Sequence, residues 1–303
     1  MSLPKRVRIV DVGPRDGLQN EKQMIPADVK IELVDRLTAA GFGAIEVTSF
    51  VSPKWVPQMS DGADVMARIR RKPGVVYSVL VPNLKGFEGA LAARADEIVV
   101  FGAASEAFSQ KNINCSIAES IERFRPVVAA ARENGMQVRG AISCALGCPY
   151  QGEVEPSAVG YVASLMKEIG VQHVGVADTI GVGTPERTKR AMEAALAHYD
   201  LADVSGHFHD TYGMATANVY ACLELGVATF DTSIAGLGGC PYAKGATGNV
   251  ATEDVLYLLN GLGIETGIDF GQVVATGQWI SGILNRKAYS RAGNAVSSRN
   301  LAA

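Results

Sequence analysis

The strongest constraint on the fold is a single pattern repeated eight times before about residue 260, in which a short β-branched run is followed by a longer amphipathic segment. The runs are Val7–Val12, Ala44–Thr48, Val75–Val81, Glu97–Phe101, Gln137–Cys144, His173–Ala177, Asp203–Phe208 and Thr229–Ile234. Several are continuously apolar, as strands are when helices cover both faces of a parallel sheet. Between them, Pro26–Ala39, Ile117–Glu133 and Pro156–Ile169 carry helical spacing and stop at glycine or Asn-Gly. Thr184-Pro185 reads as an N-cap followed by proline at the first helical position. Eight strand–helix units in 303 residues predict an α/β fold, a (β/α)8 TIM barrel. A doubly wound open sheet has the same alternation, but no G-x-G-x-x-G follows the first run.

No linker composition interrupts the pattern before about residue 265. A single catalytic domain is therefore expected over 5–285, closed by a short C-terminal helical extension at Phe270–Leu284. Residues 286–303, rich in Ser, Arg and Asn, read as a polar, mobile tail.

A formal charge of -3 leaves no reason to expect nucleic acid or an anionic membrane as partner. Five cysteines, an odd number scattered over the chain, argue against a disulfide framework and for a reducing compartment. Cys144-x-x-x-Cys148 has the look of a redox or metal pair, but no second cysteine pair completes a zinc site. With no transmembrane-length apolar run and no signal-like stretch in Met1–Val7, a cytoplasmic protein is expected.

Barrels of this kind do their chemistry at the C-terminal ends of the strands. There the sequence places Arg15, Asp16 and Gln19 after the first run, Glu46 on the second with Ser49 just past it, and Asp178 and Thr179 at the end of the sixth. His207 and His209 follow on the seventh, and a glycine-rich loop from Gly236 to Asn249, containing Cys240, follows the eighth. Residues i and i+2 of a strand share a face, so both imidazoles can reach one ion. An isolated H-x-H is more often a surface or capping pair, and an isolated Arg-Asp-Gly more often an ion pair within a turn. The carboxylates at other strand ends favour a metal in this chain. Nitrogen and oxygen donors without a thiolate suit Mg²⁺ or Mn²⁺, and Zn²⁺ or Fe²⁺ less well. Cys240 in a loop able to approach a ligand is either structural or an acid–base thiol. Lys22 and Lys111 are solvated by default, with phosphate binding as the alternative.

Taken together, Val10-Asp11-Val12-Gly13-Pro14-Arg15-Asp16-Gly17-Leu18-Gln19-Asn20-Glu21, the stretch from Ile45 to Lys54, Ser143 to Tyr150, Ala177 to Gly183, His207 to Gly213, and the loop through Cys240 to Asp254 closely resemble the 3-hydroxy-3-methylglutaryl-CoA lyases. The resemblance spans about residues 5–285. It implies a metal-dependent retro-Claisen cleavage of an acyl-CoA to acetyl-CoA and acetoacetate, as in leucine degradation. By that resemblance Asp16, His207, His209 and Asn249 hold a divalent ion, Mg²⁺ or Mn²⁺. Arg15 faces the enolate, Cys240 is a catalytic thiol on a mobile loop, and Asp16 and Glu46 take part in the chemistry. Arg15, Gln19, Lys22, Ser49, Asp178 and Thr179 are expected to contact the substrate, Lys22 near its CoA portion. A homodimer or higher homo-oligomer is also implied. No cysteine follows Cys240, so redox control by a C-terminal disulfide is not expected. Three rivals stand beside this reading: a lyase for a longer 3-hydroxyglutaryl-CoA analogue, an isopropylmalate- or homocitrate-synthase-like condensing enzyme, and a barrel that has lost catalysis.

Overall fold

The structure, a computed structural model, describes residues 3–239 and 248–300. Eight parallel strands close on themselves in sequence order: β1 Arg8–Asp11, β2 Ala44–Ser49, β3 Val76–Leu80, β4 Glu97–Ala103, β5 Gln137–Ser143, β6 His173–Asp178, β7 Val204–Phe208 and β8 Thr229–Thr232. Closure is made by β1 against β8, with Val10 opposite Asp231 and Asp11 opposite Thr232. This is the expected TIM barrel. Around it lie α1 Ala27–Ala39, α2 Gly62–Arg68, α3 Leu84–Ala92, α4 Glu106–Ile113, α5 Ile117–Glu133, α6 Pro156–Ile169, α7 Pro185–Leu196 and α8 Ala215–Leu225. The chain continues with α9 Thr252–Gly261, α10 Phe270–Ile283 and α11 Arg291–Asn300.

Local sequence sets the helix starts. Ser116 and Glu119 form a reciprocal capping box at α5, while Ser105 and Asp269 cap α4 and α10. Thr184 sits at the N-cap of α7 as expected, but its side chain makes no capping hydrogen bond, and Pro185 carries the start instead. The apolar faces of these helices and the outer faces of the strands make one large core. No helix among the described residues is long and apolar enough to cross a membrane.

The stretch 286–303, expected to be a polar tail, differs in that Arg291–Asn300 are helical. The reason is a cap supplied from elsewhere in the chain. Asp254, at the start of α9, accepts from Ser290 Oγ (2.8 Å), Arg291 N (3.2 Å) and Ala292 N (2.7 Å). A partner 36 residues away is invisible to local patterning.

Three irregularities shape the C-terminal face of the barrel. After β1 the chain makes one π-helical turn, Gly13–Gly17, in which both Asp16 N and Gly17 N donate to Val12 O. Gly17 is required there, since a Cβ would sit 2.7 Å from Leu237 Cβ of the loop after β8. On β2 the register against β3 shifts between Glu46 and Thr48, a bulge that re-aims the strand end. After β8, expected to run to Ile234, the strand stops at Thr232 and the chain turns through Ala235 at φ 56°. Glu253 holds that turn with both carboxyl oxygens, which accept from Ala235 N at 3.1 and 3.0 Å.

Candidate active site

The π-helical turn after β1 delivers Arg15 and Asp16 to the mouth of the barrel. Asp16 lies with His207 and His209 so that one ligand atom from each falls within 4.8 Å of the others. The two imidazoles come from the end of β7, ring centroids 5.5 Å apart, as same-face neighbours should be. Asn249 reaches them by a different route. After the glycine loop the chain returns as a short segment laid against the strand tips, with Asp210 N donating to Gly248 O and Val250 N to Phe208 O. A bridge between His209 and Asn249 results, and Asn249 Nδ2 donates to Asp16 Oδ2 at 2.8 Å. Asn249 therefore takes its position from β7.

Arg15 is buried and bound on two sides. Its Nε donates to Glu46 Oε1 at 2.8 Å and Nη1 to Asp16 Oδ1 at 2.6 Å. Burial opposes the charge of Asp16, but Arg15, His207 and His209, with the Asn249 hydrogen bond, outweigh it and hold the carboxyl well below the usual range. Burial, followed by the neighbouring His207, pushes His209 down to about 4, so its ring is neutral at physiological pH and offers a lone pair. His207 is also opposed by burial, yet the hydrogen bond and charge of Asp231 win and raise it. Asp231 Oδ2 lies 3.2 Å from His207 Nδ1, across the β7–β8 register in which the two residues are opposite. That contact fixes the ring and leaves Nε2 for another partner.

These residues fit a divalent cation. One ionised carboxylate and two imidazoles converge, His207 is held from behind by a carboxylate, and Nδ1 of His209 is buried with no hydrogen-bond partner among the described residues.

The remaining expected residues are distributed more widely. Ser49 is buried on β2, its hydroxyl without a hydrogen-bond partner among the described residues. Gln19 is half-buried and Lys22 exposed, both in the loop after β1. Asp178 turns into its own loop, accepting from Val182 N at 3.1 Å and Gly183 N at 2.8 Å, and burial pushes its carboxyl up to about 6. Thr179 Oγ1 accepts from Cys144 N, tying the ends of β5 and β6 together. Cys240 lies outside the described residues.

Among the described residues, Arg139, Asp231, Glu97, Asp11 and Glu253 are buried charged groups beneath the mouth to which no role was assigned from the sequence. The available signal was a charge inside an otherwise apolar strand, as in Gln-Val-Arg139-Gly-Ala-Ile and Thr-Phe-Asp231-Thr.

Residues 6–280 match the HMGL-like family. The chain belongs to that family. The 3-hydroxy-3-isohexenylglutaryl-CoA/hydroxymethylglutaryl-CoA lyase of Pseudomonas aeruginosa is 60% identical over 98% of this chain and 99% of its own length. The mitochondrial hydroxymethylglutaryl-CoA lyase of Rattus norvegicus is 54% identical over 97% of this chain and 91% of its own. Among solved structures, hydroxymethylglutaryl-CoA lyase from P. aeruginosa superposes with a TM-score of 0.96 at 59% identity, covering 99% of this chain and all of that one. For an HMGL-like protein, the Asp–His–His cluster and the Arg15–Glu46 pair lie where the chemistry of the barrel is expected.

Proposed function

We propose that this protein is a metal-dependent hydroxymethylglutaryl-CoA lyase, cleaving 3-hydroxy-3-methylglutaryl-CoA to acetoacetate and acetyl-CoA. The observation that carries the reading is the convergence of Asp16, His207, His209 and Asn249 beside Arg15 at the mouth of an HMGL-like barrel. In the reaction the C3 hydroxyl loses its proton, the C2–C3 bond breaks, and its electron pair passes into the thioester as an enolate. Carbon 2 then takes up a proton to become the methyl of acetyl-CoA.

Asp16, His207, His209 and Asn249 would hold the ion, which as Mg²⁺ or Mn²⁺ would acidify the C3 hydroxyl and orient the substrate. Asp16, kept ionised, is an anionic ligand and a poor proton acceptor. Arg15, fixed by Glu46 and Asp16, presents a permanent positive charge to the thioester oxygen where negative charge develops. Because both its partners are already in place, little reorganisation accompanies the reaction. Cys240 supplies the proton to carbon 2 in this reading, on the strength of the family resemblance. Gln19, Lys22, Ser49, Asp178 and Thr179 are assigned to the substrate pocket on the same footing, with Lys22 toward CoA. So is a homodimer or higher homo-oligomer, whereas a cytoplasmic location rests on the odd, scattered cysteines, which suit a reducing compartment.

Incubation of chelator-treated protein with 3-hydroxy-3-methylglutaryl-CoA and Mg²⁺ or Mn²⁺ is expected to release acetoacetate. No product with either ion would refute the assignment. A second reading, a lyase that also takes a longer 3-substituent, is favoured by the dual name of the P. aeruginosa relative. Comparing kcat/KM for the methyl and isohexenyl substrates separates the two, since a pocket built for methyl alone would reject the longer chain.

A further inference from the structure

Arg139, on β5, is buried inside the barrel below the mouth. Its Nη1 donates to Asp231 Oδ1 at 2.5 Å, its Nη2 lies 3.6 Å from Glu46 Oε2, and its Nε lies 3.7 Å from Glu97 Oε1. Two of these carboxylates face a site residue with their other oxygen. Asp231 Oδ2 is 3.2 Å from His207 Nδ1, and Glu46 Oε1 accepts from Arg15 Nε at 2.8 Å. One guanidinium thus stands behind both arms of the site, β5 joining β8 and β7 on one side and β2 and the first turn on the other.

We propose that Arg139 is a positioning residue: through Asp231 it sets the ring of His207, and through Glu46 it sets the guanidinium of Arg15. The proposal rests on the reading of Asp16, His207 and His209 as a metal site. Three carboxylates, Glu46, Glu97 and Asp231, gather around this one cation. Without it they repel one another at low effective dielectric and drag His207 and Arg15 with them. The requirement is for a planar fork with diverging donors. A lysine ammonium keeps the charge, but its three donors radiate from one nitrogen on a flexible stem, so it cannot span carboxylates that the guanidinium meets from three separate nitrogens. Groups that hold a metal-ligating imidazole from behind typically matter by about 10–100-fold in metal affinity or activity.

The test uses the full chain, stripped of metal, as wild type, Arg139→Lys and Asp231→Asn. Mn²⁺ binding is followed by the electron paramagnetic resonance of the free ion, and kcat and KM are measured at saturating Mn²⁺. Arg139→Lys is expected to raise the Mn²⁺ Kd about 10-fold or more. It is also expected to lower the kcat of the saturated enzyme about 10²-fold, with KM little changed. Asp231→Asn touches only the His207 arm, so its loss falls mainly on the Mn²⁺ Kd. The double variant is expected to bind Mn²⁺ about as weakly as the worse single one, because both changes act on one path. Should Arg139→Lys fail to fold, Arg139→Gln with Glu97→Gln removes the cation together with one partner and carries the same test. A folded Arg139 variant with wild-type Mn²⁺ Kd and wild-type kcat, altered only in thermal midpoint, would overturn the proposal. Wild-type protein that binds no Mn²⁺ would overturn the metal-site reading and this proposal with it, a result distinguishable from wild-type binding that the variants leave unchanged.

Discussion

Asn249 donates from Nδ2 to Asp16 Oδ2 at 2.8 Å, a contact that joins residues 233 positions apart and brings together the first and last loops of the barrel. Asn249 Nδ2 also lies 3.2 Å from Leu237 O, so the same amide holds the start of the glycine loop. Asn249→Ala is therefore expected to weaken Mn²⁺ binding about 10–100-fold. Calorimetric titration of metal-free protein checks it, and an unchanged Kd would separate Asn249 from the ion.

Arg15 is held by Glu46 and Asp16 with nothing left to adjust during the reaction. Arg15→Met is expected to lower kcat by about 10²–10³-fold, the usual cost of losing one preorganised donor to a developing oxyanion. Mn²⁺ affinity should change far less, which distinguishes loss of enolate stabilisation from loss of the ion. Equal losses in both would show that Arg15 acts mainly by holding the ligand Asp16 in place.

Glu253 is buried at the turn that launches the glycine loop, and burial pushes its carboxyl up to about 8 from an ordinary 4.5. Between those pH values the folded protein keeps a proton that the unfolded chain releases. The stability gained from the protonated group is complete below pH 4.5 and is lost as pH rises toward 8. Glu253→Gln mimics the protonated form at every pH. Relative to wild type it should gain stability from pH 5 to pH 8, on the order of 3 kcal/mol. Urea unfolding of both proteins at the two pH values measures this; parallel pH dependences would show that Glu253 is ionised in the fold.

Binding of a divalent ion to the folded state alone must raise its thermal midpoint. At about 100 times the Kd the stabilisation is ~2.7 kcal/mol. Removing the ion with a chelator should reverse it, and in His209→Asn the shift should shrink toward zero at the same Mn²⁺ concentration. A full-sized shift in that variant would remove His209 from the ligand set.

Much of the barrel could be read from the chain because parallel strands covered by helices are continuously apolar, and all eight predicted runs overlap the observed strands. Closure needed the pairing of β1 with β8, which no local pattern contains. The site was legible where its residues lie on strand ends: Asp16, His207 and His209 meet as their positions implied. The supporting layer was not, since Arg139 meets Asp231 across 92 residues of chain and only barrel geometry brings them together. The helical form of Arg291–Asn300 escaped for the same reason, its cap being Asp254 on α9. Asp178, a substrate contact by the family resemblance, also accepts from Val182 N and Gly183 N, a tie within its own turn that the sequence does not announce.

The central claim, metal-dependent cleavage through an enolate of acetyl-CoA, is tested most directly by turnover of 3-hydroxy-3-methylglutaryl-CoA in D2O. Metal-stripped protein supplied with Mn²⁺ or Mg²⁺ is predicted to yield acetoacetate and acetyl-CoA in equal amounts, with solvent deuterium in the acetyl methyl group, and to yield neither without the ion. Cleavage that proceeds equally well in the stripped protein, or no cleavage with either ion, would contradict it.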